Sequence, residues 1–279
     1  MNKLSFISKN LIKKKYNPIL NRNIIKNSLK NPLPGIDIGI PLNLFQNTYT
    51  NLYYGTNILN TKYVLLQFLI GYSVYGADRY KDAIDFQDKP YSTTKLDLYK
   101  FINENRNWIK ITTDLAYFSI LYLFFTEENP EQLIPFALTL YSSQWYKEIK
   151  TFLGPFKPVI ISILWTACSV GLPCVLHDHD YSILSHPTDY LPCTLTLFSA
   201  SNIVDNKDIY EDKKNNISTI PVLIGEDYSN MLSMVCLALS SILLGLNPHY
   251  LSNPWLNSFM EIQNAGISFL PFVLNATLA

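Results

Sequence analysis

Residues 157–176 read KPVIISILWTACSVGLPCVL, with one charge at the very start and none in the nineteen residues after it. A run this long and this apolar matches the ~20 residues a helix needs to cross a bilayer. Comparable segments lie outward from it at 61–77, 107–126, 131–146, 187–204, 228–246 and 258–278. Segment 131–146 is short and needs its flanks, and 39–58 is weaker because Asn43, Gln46, Asn47 and Asn51 interrupt it. Composition agrees with a membrane protein. Hydrophobic residues make up 48% of the 279 and charged residues 16%, against roughly 25% charged in a soluble domain. The 19 tyrosines tend to sit at the ends of apolar runs, where interfacial anchors belong. No Gly/Ser linker or repeat divides the chain. The expected fold is all-α, a polytopic transmembrane bundle of about eight helices (seven to nine) in one domain, 36–279.

Charge placement orients the bundle. If the chain crosses at each clear segment, the loops on one face are 78–106, 147–157 and 205–227. Those loops hold Arg79, Lys81, Lys89, Lys95, Lys100, Arg106, Lys147, Lys150, Lys157, Lys207, Lys213 and Lys214. The loops on the other face, 127–130, 177–186 and 247–257, hold no Lys or Arg. The positive-inside rule makes the basic face cytoplasmic, stromal or matrix. Residues 1–35 carry eight basic residues and no acid, and they join that face only if 39–58 is a further crossing. This leader is either an organellar targeting segment or a basic tail. The first reading places the protein in an organellar inner membrane of a mitochondrion or plastid.

A net charge of zero gives no support to a nucleic-acid partner. The four cysteines lie in apolar stretches without CxxC spacing, which argues against a structural zinc site.

Two aspartate clusters stand on the basic face, each at the end of an apolar segment. The first contains Asp78, Asp82, Asp85 and Asp88, and the second Asp205, Asp208 and Asp212. Spacings of three and four place Asp78, Asp82 and Asp85 on one helical face, and Asp205, Asp208 and Asp212 on another. Stacked carboxylates repel one another unless cations sit between them. Magnesium suits such a place, because it takes oxygen ligands and shares itself between carboxylates and phosphate oxygens. Two such helices facing each other would clamp a diphosphate and stabilise its departure.

The second cluster continues as Lys213-Lys214-Asn215-Asn216-Ile217-Ser218-Thr219-Ile220-Pro221-Val222-Leu223-Ile224-Gly225. DxxDxxxD followed by Thr-Ile-Pro-Val-x-x-Gly resembles the second motif of the UbiA-type intramembrane prenyltransferases. Asn216 stands where that family usually has glycine, and Asn tolerates a left-handed backbone better than other non-glycine residues. Asp78-Arg79-Tyr80-Lys81-Asp82 resembles the DRxxD variant of the first motif, with Ala77 in place of the usual Asn. The resemblance covers roughly residues 60–275.

It implies a bundle around a central cavity open to lipid, and a magnesium-dependent transfer of an isoprenyl group from its diphosphate to an aromatic or other lipophilic acceptor. By the same resemblance Asp78, Asp82, Asp85, Asp205, Asp208 and Asp212 bind the Mg²⁺–diphosphate. Lys150 and Lys157 neutralise the leaving group, with Arg79 and Lys213 assisting. Asp114, inside an apolar segment, is a candidate for acceptor binding. The alternatives are a terpene cyclase of the same superfamily and a non-enzymatic cation-binding transporter. His177-Asp178-His179-Asp180 has metal-ligating residue types but belongs to the opposite face, and Glu261 reads as interfacial.

Overall fold

The computed structural model describes residues 34–54, 61–85, 93–145, 149, 152–177, 187–214 and 216–246, and among them it contains helices and no strands. In chain order these are α1 (Ile36–Tyr54), α2 (Thr61–Asp85), α3 (Thr93–Glu104), α4 (Arg106–Phe125), α5 (Ile134–Ser142), α6 (Lys157–Thr166), α7 (Leu172–His177), α8 (Pro187–Asn206), α9 (Ile209–Lys214), α10 (Ile220–Ile224) and α11 (Glu226–Leu246). A π-helical turn, Ala167–Gly171, joins α6 to α7 in one continuous rod. Among the described residues, three helices are long and apolar enough to cross a membrane: Arg106–Phe125, Gly154–Leu176 and Glu226–Leu246. This is consistent with an integral membrane protein.

The distribution of side chains inverts that of a water-soluble bundle. On α11 the buried positions are Ser229, Ser233, Cys236, Ser240, Ser241 and Leu244, whereas Tyr228, Met231, Val235, Leu239, Ile242 and Leu246 point outward. Small residues at this spacing let α8 approach closely, and their hydroxyls bond across the seam. Asn202 Nδ2 lies 2.8 Å from Ser229 Oγ and 2.9 Å from Ser233 Oγ, and Ser199 Oγ donates to the Ser233 carbonyl at 3.0 Å. Thr196 links outward in both directions, to Ser240 Oγ at 2.9 Å and to Tyr49 OH of α1 at 3.1 Å. On α4, Trp108, Ile111, Leu115, Phe118, Tyr122 and Phe125 form one stripe, each more than half exposed. Its opposite face buries Ile109, Thr113, Ala116, Ile120 and Phe124. An exposed apolar stripe of that size is unusual on a soluble monomer.

Helix α1 runs antiparallel to α2 through glycines. A Cβ on Gly35 would lie 2.7 Å from the Gly76 nitrogen, so only glycine allows this approach, and its φ of +97° favours glycine as well. Gly39 and Gly71 meet one turn further on. The segment interrupted by asparagines is thus one 19-residue helix, although it is not among the three most apolar rods.

Segment 131–146 departs from a simple crossing. It forms a 3₁₀ turn (Pro130–Leu133), the nine-residue α5 and a second 3₁₀ turn (Ser143–Trp145). Tyr117, midway along α4, bonds Ser143 at 3.2 Å, so α5 ends part-way through the bundle. Irregular backbone at such depth is tolerated where it lines a cavity. Helix α3 falls in a stretch expected to be loop. Its Tyr99 and Ile102 pack with Ala83 and Ile109 into a small core of their own. The expected segment 258–278 and the leader lie outside the described residues.

Candidate functional site

A cavity of about 480 Å³ opens between α2, α4, α5, α6 and the π turn. Its walls are overwhelmingly apolar, with Ile70 and Val74 from α2, Phe136 from α5 and Leu164 from α6. Tyr75 and Trp165 also line it, stacked with ring centroids 5.9 Å apart and planes 6° from parallel. Asp78 is the one charged side chain among the lining residues. It follows Tyr75 by one turn, because α2 continues without interruption through Asp85. Asp82, one turn further, is half-buried, as is Arg79.

The second cluster is built differently. Helix α8 ends at Asn206 and a turn at 207–208 separates it from α9, so the uninterrupted helix expected through Asp212 is broken. The turn is tight: Asp208 N donates to the Asp205 carbonyl at 3.1 Å, and Asp212 N to the Asp208 carbonyl at 2.7 Å. Asp205 is 1% exposed and pairs with Lys157, the first residue of α6. α9 then closes in a Schellman motif. Ile217 N donates to the Asp212 carbonyl at 2.9 Å and Asn216 N to the Lys213 carbonyl at 3.3 Å. This motif requires a left-handed residue at Asn216, whose φ is +56°, alone among the described non-glycine residues. Asn thus fills the position as the turn chemistry allows.

That reversal carries Thr219 back onto the cluster, where its Oγ1 donates to Asp212 Oδ2 at 3.0 Å. Burial raises the pKa of Asp212 above the ordinary carboxylate value. The Thr219 hydrogen bond and the Lys157 charge oppose the shift, while Asp205 and Asp208 add to it. Asp205, Asp208 and Lys157 therefore all act electrostatically on Asp212.

Both clusters stand at the same end of the bundle. Leu153 and Ile160, on either side of Lys157 in sequence, line the cavity that Asp78 enters. Gly154 takes φ +51°, and a Cβ there would come 3.5 Å from the Ser218 carbonyl, so the start of α6 packs against the segment leading to Thr219. Among the described residues, however, no group of three or more His, Cys, Asp or Glu side chains is placed to hold a metal alone.

The remaining expected residues are scattered. Asp114 is half-buried on α4 and does not line this cavity. Lys213 and Lys214 are exposed in the last turn of α9, where positive charge suits the helix C-terminus. Lys150, residues 178–186, Glu261 and the side chains of Asp85 and His177 lie outside the described residues.

Comparison with family models, with curated proteins and with solved structures gives no match. The resemblance to the prenyltransferase superfamily therefore rests on the motif residues themselves.

Proposed function

We propose that the protein is a magnesium-dependent intramembrane prenyltransferase that moves an isoprenyl group from its diphosphate to an aromatic or other lipophilic acceptor. The observation that carries the reading is the apolar cavity entered by Asp78 at the end where Lys157 meets Asp205. Its volume lies within the ~300–1,000 Å³ usual for small-molecule sites. An isoprenyl chain suits the walls and a diphosphate suits the charged end.

The carboxylates fit magnesium as a shared ion rather than a resident one. Magnesium commonly binds through one or two carboxylates plus substrate phosphates, so the lack of a three-acid cage does not count against it. The carboxylates that would hold it are those of Asp205, Asp208 and Asp212 and, by the resemblance, of Asp78, Asp82 and Asp85. When bound, the ion neutralises charge on the leaving diphosphate.

The chain's own groups do the rest. Lys157, on releasing Asp205, offers its Nζ to the diphosphate, with Lys150, Arg79 and Lys213 as further positive charges. The allylic C–O bond breaks and its electron pair leaves with the diphosphate. The resulting carbocation lies between apolar walls near the Tyr75 and Trp165 rings, whose faces favour a cation. A carbon of the acceptor supplies the π pair for the new C–C bond. Its proton passes to a motif carboxylate, which restores the ring.

On this reading the protein is multi-pass, with the aspartate end facing the cytoplasm, matrix or stroma. The acidic clusters and basic loops share that side, and the basic leader fits an organellar inner membrane.

A labelled isoprenyl diphosphate, Mg²⁺ and a mixed acceptor panel test the proposal, with product masses read directly. Acceptor-plus-isoprenyl masses are expected, and Asp82→Asn and Asp208→Asn should each cut their yield by about 10²-fold or more. Failure to release diphosphate with any donor would sink the reading. A cyclic hydrocarbon formed without acceptor would point to a terpene cyclase, and cation movement without turnover to a transporter.

A further inference from the structure

The asparagine- and glutamine-rich face of α1 ends in a buried polar node. Pro173 has no N–H to give the Ser169 carbonyl four residues earlier. The π turn falls at this place, and Thr50 of α1 supplies a donor instead, with Oγ1 2.8 Å from Ser169 O. Thr50 Oγ1 also lies 3.0 Å from Tyr63 OH. Gln67 Nε2 donates to Tyr63 OH and, at 3.4 Å, to the Cys168 carbonyl. Three polar atoms beside this network meet no hydrogen-bond partner among the described residues: Gln67 Oε1 and both the Nε2 and Oε1 of Gln46. Gln46 sits one turn before Thr50 on α1, and both glutamines are 0% exposed.

A buried amide deprived of partners is costly, more so where lipid rather than water surrounds the bundle. We infer that Gln46 and Gln67 form a binding site for a hydroxyl oxygen. A hydroxyl has one donor and two acceptor lone pairs, which complement an amide oxygen and an amide N–H. The node adjoins the cavity: Cys168, whose carbonyl Gln67 holds, lines it, as does Ile70, the residue one turn beyond Gln67. Two sources supply that chemistry, an internal water and the hydroxyl of a ligand entering from the cavity. The node is far along α2 from Asp78, so its failure and that of the prenyltransferase reading are separate results.

The test uses the full chain in nanodiscs. Gln46→Met keeps the volume and breaks no side-chain hydrogen bond within the described residues. If the node binds a hydroxyl, the variant melts lower than the parent when phenol is present. If the node binds nothing, removing an unsatisfied amide raises the melting temperature with phenol as well as without it, and the inference is overturned. Phenol and toluene as probes separate the sources. A tenfold or greater preference for phenol, lost in Gln46→Met, identifies a ligand hydroxyl. Equal binding together with ordered density beside Gln46 in an experimental map of the parent identifies water. Equal binding with no such density contradicts the site, whatever the variant's expression.

Discussion

The two aspartate clusters have similar spacing and quite different surroundings. Asp78 and Asp82 ride a straight helix, and Asp78 opens on an apolar cavity. Asp205 is almost wholly buried against Lys157, and Asp212 is bonded to Thr219 across a Schellman reversal. The first cluster thus rides one uninterrupted helix at half-buried positions, and the second crosses a chain reversal with Asp205 almost wholly buried. Charge held away from water contributes most to stabilising a transition state.

That contrast predicts unequal sensitivity. Asp205→Asn should lower turnover by about 10³-fold and Asp82→Asn by about 10²-fold, the range typical of removing one such electrostatic group. Single-turnover assays with labelled donor would show it, and equal losses would erase the distinction. Lys157→Met should lose about 10²-fold in turnover. It also takes the Lys157 charge away from the nearly buried Asp205, destabilising the chain by about 3 kcal/mol in denaturation measurements.

Asp212 gives the next prediction. Its raised pKa means that, between the ordinary carboxylate value and the raised one, the folded chain keeps a proton that the unfolded chain has lost. Stability should fall as pH rises through that window, while Mg²⁺-dependent diphosphate binding, which needs the carboxylate, should grow. Thr219→Val removes a bond that favours the ionised form and should move the binding midpoint to higher pH. An unmoved midpoint would detach Asp212 from binding. The smallest effect belongs to Asn216. Asn216→Ala should cost about 1 kcal/mol of stability through its left-handed backbone, and Asn216→Gly should be nearly neutral, with turnover little changed in either.

Much of this architecture is legible in the residues. The long apolar runs marked α4, the α6–α7 rod and α11, and carboxylate spacing marked the continuation of α2 through its aspartates. The turn at Asn216 was legible only through the resemblance, which puts there a glycine position that Asn tolerates. What escaped depends on tertiary contact. Asn43, Gln46 and Asn47 interrupt a hydropathy pattern, and nothing local says that they face a helix interior instead of a loop. The break after α8 was hidden because DxxDxxxD fits an unbroken helix as well as a turn. The broken α5 looked like a short crossing, since its irregular ends are supported by the cavity it lines and by Tyr117. The pairing of Lys157 with Asp205 joins residues 48 positions apart and needs α6 and α8 to be antiparallel.

The central claim is that the isoprenyl chain occupies the cavity below Asp78 while its diphosphate bridges the two clusters. A photoreactive isoprenyl diphosphate analogue, cross-linked with Mg²⁺ present and mapped by peptide mass spectrometry, tests it most directly. The account predicts labels on Val74, Phe136, Leu164 or Trp165, lost in Asp78→Asn and in Asp205→Asn alike. Labels confined to the outward stripe of α4, at Phe118 and Tyr122, and indifferent to both substitutions would contradict it.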